Sequence, residues 1–184
     1  KTSAEYVRWF RKIAKQCQRI LKPQGSFILN IKEHVKNFER QPYTYELVLD
    51  LIRIGWMWRE EYCWYKSTAF PGYWPGRFRD SWERVYHFSK QKDIIFHKEP
   101  VKVPIGDWSK ERFNKEWNFG HDKNRHLSNT GSGFSRKVDN WKDKKMVDPN
   151  NVLKFSSVSK NVKHSAAFPV ELPEWFIKLM TNEN

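Results

Sequence analysis

The period of the apolar pattern changes repeatedly along the first ninety residues, and this narrows the possible folds more than any single motif. Over residues 3–21, Tyr6, Phe10, Ile13, Cys17 and Ile20/Leu21 recur at spacings of three and four, which places them on one face of a helix. Thr2 and Glu5 have the spacing of a capping box, and the turn former KPQG at 22–25 ends the segment. SFILNI at 26–31 is then short and almost entirely apolar, which predicts a strand covered on both faces. After a turn-rich piece at 33–42, Leu47, Val48, Leu51 and Ile54 make a second helical stripe that stops at Gly55. WMWREEYCWYKS at 56–67 and RVYHFS at 84–89 read as strands. Helix, strand, helix, strand, loop, strand is the order of an α/β sheet covered by helices.

From residue 97 to 162 the chain is polar and turn-rich, with weak periodicity. Trp108, Phe113, Trp117, Phe119, Phe134 and Trp141 are interleaved with charge there, which a plain linker would not carry. The expected organisation is a main α/β unit over 1–96, an irregular insert over 97–150, and a return over 151–184. In the return, NVLKFSSV (151–158) reads as a strand and HSAAFPVELPEWFIKLMT (164–181) ends in a helix. Pro173 suits that helix's first turn, and Leu172, Phe176 and Leu179/Met180 form its apolar stripe.

Charge points to the class of partner. There are 34 Lys and Arg against 21 Asp and Glu, a net charge of +13, and this excess favours a polyanion. The loop AFPGYWPGRFRDSWERVYHFSK at 69–90 sharpens the point, because it packs Phe70, Tyr73, Trp74 and Phe78 around Arg77 and Arg79. Aromatic faces beside guanidinium groups suit a ligand with π-faces and negative charge, and nucleic acid has both. Asp80 and Glu83 read as salt-bridge partners that orient Arg77, Arg79 and Arg84. Nothing recommends a metal: the histidines lack Cys or acidic partners at ligand spacing, and His87 alternates with apolar neighbours as a core histidine would. Cys17 and Cys63 are far apart and read as core residues. NTGSGFS at 129–135 follows a polar run instead of a strand, so it reads as a flexible turn and not a cofactor cradle. No apolar run is long enough to span a membrane, and an intracellular protein is expected.

Three blocks carry a family resemblance. FRKIAKQCQRILKPQGSFILNIKE (10–33) resembles the helix and strand that follow the catalytic loop of amino-group DNA methyltransferases. EEYCWYKSTAFPGYWPGRFRDSWERVYHFSK (60–90) resembles that family's next block, where W-x-K leads through a Pro-rich loop, an Arg and a Glu to a strand ending F-S-K. HSAAFPVELPEWFIKLMT resembles its F-P-x-x-L helix motif. The order matches the permuted (beta) class, with the catalytic half first, a target-recognition insert next, and the F-P-x-x-L helix leading into the cofactor half.

The resemblance implies a Rossmann-like fold dependent on S-adenosylmethionine. It also implies methyl transfer to N4 of cytosine or N6 of adenine in a base flipped out of double-stranded DNA. His164, Phe168, Pro169 and Leu172 are expected near the cofactor. Lys66, Tyr73, Trp74, Arg77, Arg79, Arg125 and Arg136 are expected on DNA, with the insert 97–150 reading sequence. The family's D/S-P-P-Y amine-binding loop and F-x-G-x-G loop are not in the sequence, and no Pro-Pro occurs. No catalytic residue is therefore assigned. The chain reads as the central part of an enzyme, inactive alone, whose other halves could belong to a separate chain. A bacterial or archaeal cytoplasmic location follows from the same likeness. The competing reading is a non-enzymatic basic nucleic-acid-binding module.

Overall fold

The computed structural model describes residues 2–69, 72–106, 144–158 and 167–182. They fall into two compact units, one of residues 1–101 with 150–184 and one of 102–149. The smaller unit contains a two-residue antiparallel pair, Val103–Pro104 with Met146–Val147.

The larger unit opens with helix α1, Ser3–Ile20, whose N-terminus is closed by the expected capping box: the Thr2 hydroxyl accepts from the Glu5 amide and the Glu5 carboxylate accepts from the Thr2 amide. Strand β1 (Ser26–Ile31) follows, then a small hairpin of β2 (Val35–Lys36) and β3 (Glu39–Arg40), then helix α2 (Tyr43–Arg53). Gly55, at φ +97°, makes the left-handed turn from α2 towards β4 (Met57–Tyr65). Strand β5 spans Trp82–Ser89, and the short pair of the smaller unit supplies β6 and β7. Strand β8 (Val152–Lys154) and helix α3 (Glu171–Met180) complete the chain.

The main sheet has the order β1-β5-β4-β8, antiparallel except for the parallel β4–β8 pair. Side-chain alternation divides it into two faces. Phe27, Leu29, Ile31, Tyr86 and Phe88 pack with α1 and α2 around Leu47, Leu51 and Trp56. On the opposite face Tyr62, Trp64, Val85 and Leu153 pack with Leu172, Phe176, Leu179 and Met180 of α3. The helical stripes of α2 and α3 are therefore the ones the sequence predicts. An ion pair from Arg11 to the buried Asp50 ties α1 to α2.

Three expectations need correction. Strand β8 is three residues long, not the length of 151–158. Beyond Lys154 side chains replace the backbone ladder: Trp64 Nε1 donates to the Phe155 carbonyl at 3.0 Å, and Ser67 and Thr68 hydrogen-bond Ser156 and Ser157. Strand β5 starts at Trp82, because Tyr65 and Trp64 pair with Trp82 and Glu83. Strand β1 is covered fully on one face only. Its other face, with Ser26, Ile28 and Asn30, lines an open cleft, and among the described residues its only strand partner is β5.

Candidate functional site

The cleft runs along β1 between α3 and the α3 face of the sheet, reaches Leu29, Ile31, Tyr6 and Tyr43 from the other side, and measures about 1070 Å³. Registry explains its lining. Trp64 lies opposite Glu83, and Asn30 lies opposite Val85, so alternation turns all four side chains to this face. Lys66, just past the end of β4, enters from the rim, and Phe168 and Leu172 close the far wall.

Three of its polar groups form a cluster. Lys66 Nζ is ion-paired with Glu83 and stands 4.7 Å above the Trp64 ring. The same carboxylate accepts from Asn30 Nδ2 at 3.2 Å, and Asn30 also donates to the Arg84 carbonyl at 3.0 Å. Both ionic side chains are largely buried, at 20% and 18% exposure, so the pair is shielded from solvent screening. The result is a carboxylate, an ammonium and an amide set in a wall of Ile28, Val85 and Phe176.

The loop after Lys66 forms a second, shallower concavity of about 640 Å³, lined by Tyr73, Trp74, Arg77, Phe78 and Arg79. Its arginines are anchored. Arg77 donates to Asp80 at 3.2 Å and stacks 5.5 Å from the Trp74 ring, while Arg79 donates to the Ala69 carbonyl at 3.1 Å. Asp80 also holds Lys32 at 3.2 Å and Arg40 at 2.5 Å. Burial would raise the Asp80 carboxyl, but hydrogen bonds from Arg40 and Lys32 outweigh it and hold the group below its ordinary range. The network continues through Arg40 to the buried Glu33 at 2.7 Å and from Glu33 to Arg84 at 3.1 Å. Arg84 in turn lies between the rings of Tyr45 and Trp82, at 4.9 and 4.6 Å.

The residues expected from sequence thus separate into two places. Tyr73, Trp74, Arg77 and Arg79 share the loop concavity. Lys66, Phe168 and Leu172 line the cleft, where Lys66 is engaged by Glu83. Pro169 is buried, and its carbonyl accepts from the Leu172 amide at 3.2 Å to start the last helix. His164, Arg125 and Arg136 lie outside the described residues. Asp80 does orient Arg77, but Glu83 holds Lys66 and Asn30 instead of an arginine. His87 is a core residue: it is 1% exposed, hydrogen-bonded to Ser26 at 2.9 Å, and burial lowers its pKa to about 4. Among the described residues no group of three or more His, Cys, Asp or Glu could hold a metal ion. Lys32, Glu33, Arg40 and Asn30 were not singled out from sequence. The one available hint was Asn30, a polar residue inside an apolar strand.

Comparison with known proteins decides the family. The profile N6_N4_Mtase, described as DNA methylase, matches residues 1–184. The chain belongs to this DNA methylase family. Within the family it is similar to the type II methyltransferase M.PvuII of Proteus hauseri, at 28% identity over 96% of the chain and 57% of the relative. It is also similar to M.MwoI of Methanothermobacter wolfeii, at 32% identity over 57% of the chain and 17% of that relative. A third relative, M.BglII of Bacillus subtilis, is 22% identical over 95% of the chain and 43% of its own length. A solved structure titled PvuII DNA methyltransferase (cytosine-N4-specific) superposes with a TM-score of 0.66 at 22% identity, over 98% of this chain and 56% of that one. The chain therefore has the Rossmann-like methyltransferase fold, and it spans about half the length of M.PvuII. No helix among the described residues of this family member is long and apolar enough to cross a membrane.

Proposed function

We propose that this chain is part of a site-specific DNA methyltransferase of the permuted class, acting on an exocyclic amine of a base flipped out of duplex DNA. The observation that carries this reading is the convergence of two distant blocks on one cleft. Phe168 and Leu172 of the F-P-x-x-L segment face Asn30, Lys66 and Glu83 of the N-terminal blocks. The cytosine-N4 title of the similar solved structure favours cytosine N4 over adenine N6.

The cleft fits S-adenosylmethionine in size and in chemistry. Its lining offers Phe168, half exposed, to a purine ring, and its polar cluster offers a carboxylate close to the Trp64 ring. Bound there, the cofactor would supply an electrophilic methyl group. The residues of this chain bind and orient. Glu83, with one oxygen engaged by Lys66 and the other by Asn30, keeps lone pairs for a further donor, and Phe176 and Val85 supply apolar lining. The loop concavity would lie on DNA, and the segment 97–150, with Arg125 and Arg136, would read base edges in the major groove. The amine-holding D/S-P-P-Y and the F-x-G-x-G loops, absent from the sequence, would come from elsewhere in the enzyme or from a separate chain. Type II relatives point to restriction–modification in a bacterial or archaeal cytoplasm.

The test is transfer of a tritiated methyl group to unmethylated DNA, by residues 1–184 alone and with the part of M.PvuII that lies outside the matched region added in trans. Label should enter DNA only in the second case and should be lost with Glu83→Gln. Robust transfer by 1–184 alone would overturn the division of labour. Specific DNA binding with no transfer under any complementation would favour the non-enzymatic reading.

A further inference from the structure

Phe78 is the most exposed large apolar side chain among the described residues, at 94%. A ring that open to water contributes nothing to the core, yet the backbone that presents it is held on both sides. Arg77 is fastened to Asp80 and stacked on Trp74, and Arg79 is fastened to the Ala69 carbonyl. Gly76, at φ +72°, sets a turn that a side chain would strain. Asp80 is itself clamped by Lys32 and Arg40, from outside the loop. The loop thus holds a bare aromatic ring between two guanidinium groups. Each anchored arginine has further N–H donors for a second partner, since a guanidinium carries five.

We propose that Phe78 is a wedge, whose ring enters the base stack of duplex DNA at a position a base has left while Arg77 and Arg79 hold the flanking phosphates. The proposal rests on the DNA reading above. Extruding a base leaves a stacking gap, and an apolar ring that fills it recovers part of the lost stacking. Stacking on a ring is tolerant of sequence, so the wedge would act wherever the base leaves, while recognition lies elsewhere. The occupant is specified by charge as well as shape: the rim is cationic, which suits a polyanion.

A duplex with one abasic site already contains the gap, so the wedge can be measured without knowing the recognition sequence. Fluorescence anisotropy of residues 1–184 on matched duplexes, intact and abasic, should show the abasic duplex bound about tenfold more tightly, the size expected of one base–aromatic stack. Phe78→Ala should bring that ratio close to one by weakening the abasic complex more than the intact one, and Phe78→Trp should preserve the ratio. Arg77→Ala with Arg79→Ala should instead weaken both duplexes alike. Phe38, exposed to 87% but outside the loop, serves as the control, and Phe38→Ala should alter neither affinity. An undiminished abasic preference in Phe78→Ala, or its equal loss in Phe38→Ala, overturns the wedge while DNA binding stands. Failure of the parent protein to bind either duplex overturns the DNA reading and the wedge with it.

Discussion

His87 shows how far a single side chain can depart from its usual chemistry. It sits in β5 under the sheet, bonded to Ser26 and stacked on Phe96 at 6.5 Å, and burial drives its pKa down from 6.5 to about 4. Arg59 adds to the effect. The folded protein therefore prefers the neutral ring. Stability from this group is fully present above about pH 6.5 and is lost as pH falls towards 4, where the folded state also takes the proton. A drop on the order of 3 kcal/mol is expected across that window. Asp50 and Asp80 act lower, since both carboxyls are held below 3.8 by their basic partners. A series of urea denaturations from pH 7.5 to 4 should show the loss, and His87→Gln should remove its pH dependence in that window. A slope unchanged by His87→Gln would assign the loss to other groups.

Among the elements, α3 is the best measure of how the cleft is built. Leu172, Phe176, Leu179 and Met180 are buried against the sheet, while Val170, just before the helix, is 71% exposed. Phe176 meets Tyr62 edge-on, with centroids 5.2 Å apart, and also lines the cleft. Phe176→Ala should cost about 3–5 kcal/mol of stability by leaving a cavity. Val170→Ala should cost less than about 0.5 kcal/mol, as surface changes usually do. Both are read from denaturant midpoints at constant m. Comparable losses in the two variants would mean that α3 is not seated as described.

At the scale of the whole molecule, the two compact units suggest separable tasks: residues 1–101 with 150–184 contain the sheet and the cleft, and residues 102–149 form the second unit. If the second unit reads sequence, target choice should travel with it. Transplanting residues 97–150 into M.BglII, followed by mapping of methylated sites, should shift the methylated sequence away from that enzyme's own. Retention of the host's specificity would assign 97–150 a structural role. Each Arg or Asn that reads a base should then relax one position when replaced, at about 1–3 kcal/mol per lost contact.

Local sequence determined most of the elements, because helix and strand periods are written in neighbouring residues. The stripes of α2 and α3 and the capping box at Thr2 follow from spacing alone, and the aromatic run at 56–67 holds the strand at 57–65. The stripe of α1 was read only in part: Tyr6, Phe10, Cys17 and Leu21 pack against the core, but Val7 and Ala14 are its buried residues while Ile13 and Ile20 are exposed. Strand ends were less legible: β8 is short because side-chain hydrogen bonds from Trp64, Ser67 and Thr68 take over from the ladder. The sequence also marked the aromatic and arginine loop, whose composition has few structural uses. Only the tertiary structure decided the rest. Asn30, Lys66 and Glu83 meet because antiparallel pairing sets β1 and β4 on either side of β5. Arg40 reaches Asp80 across forty residues, and Glu33 is buried between two arginines. A charge's partner depends on registry and on which face a residue takes, and no local pattern encodes either.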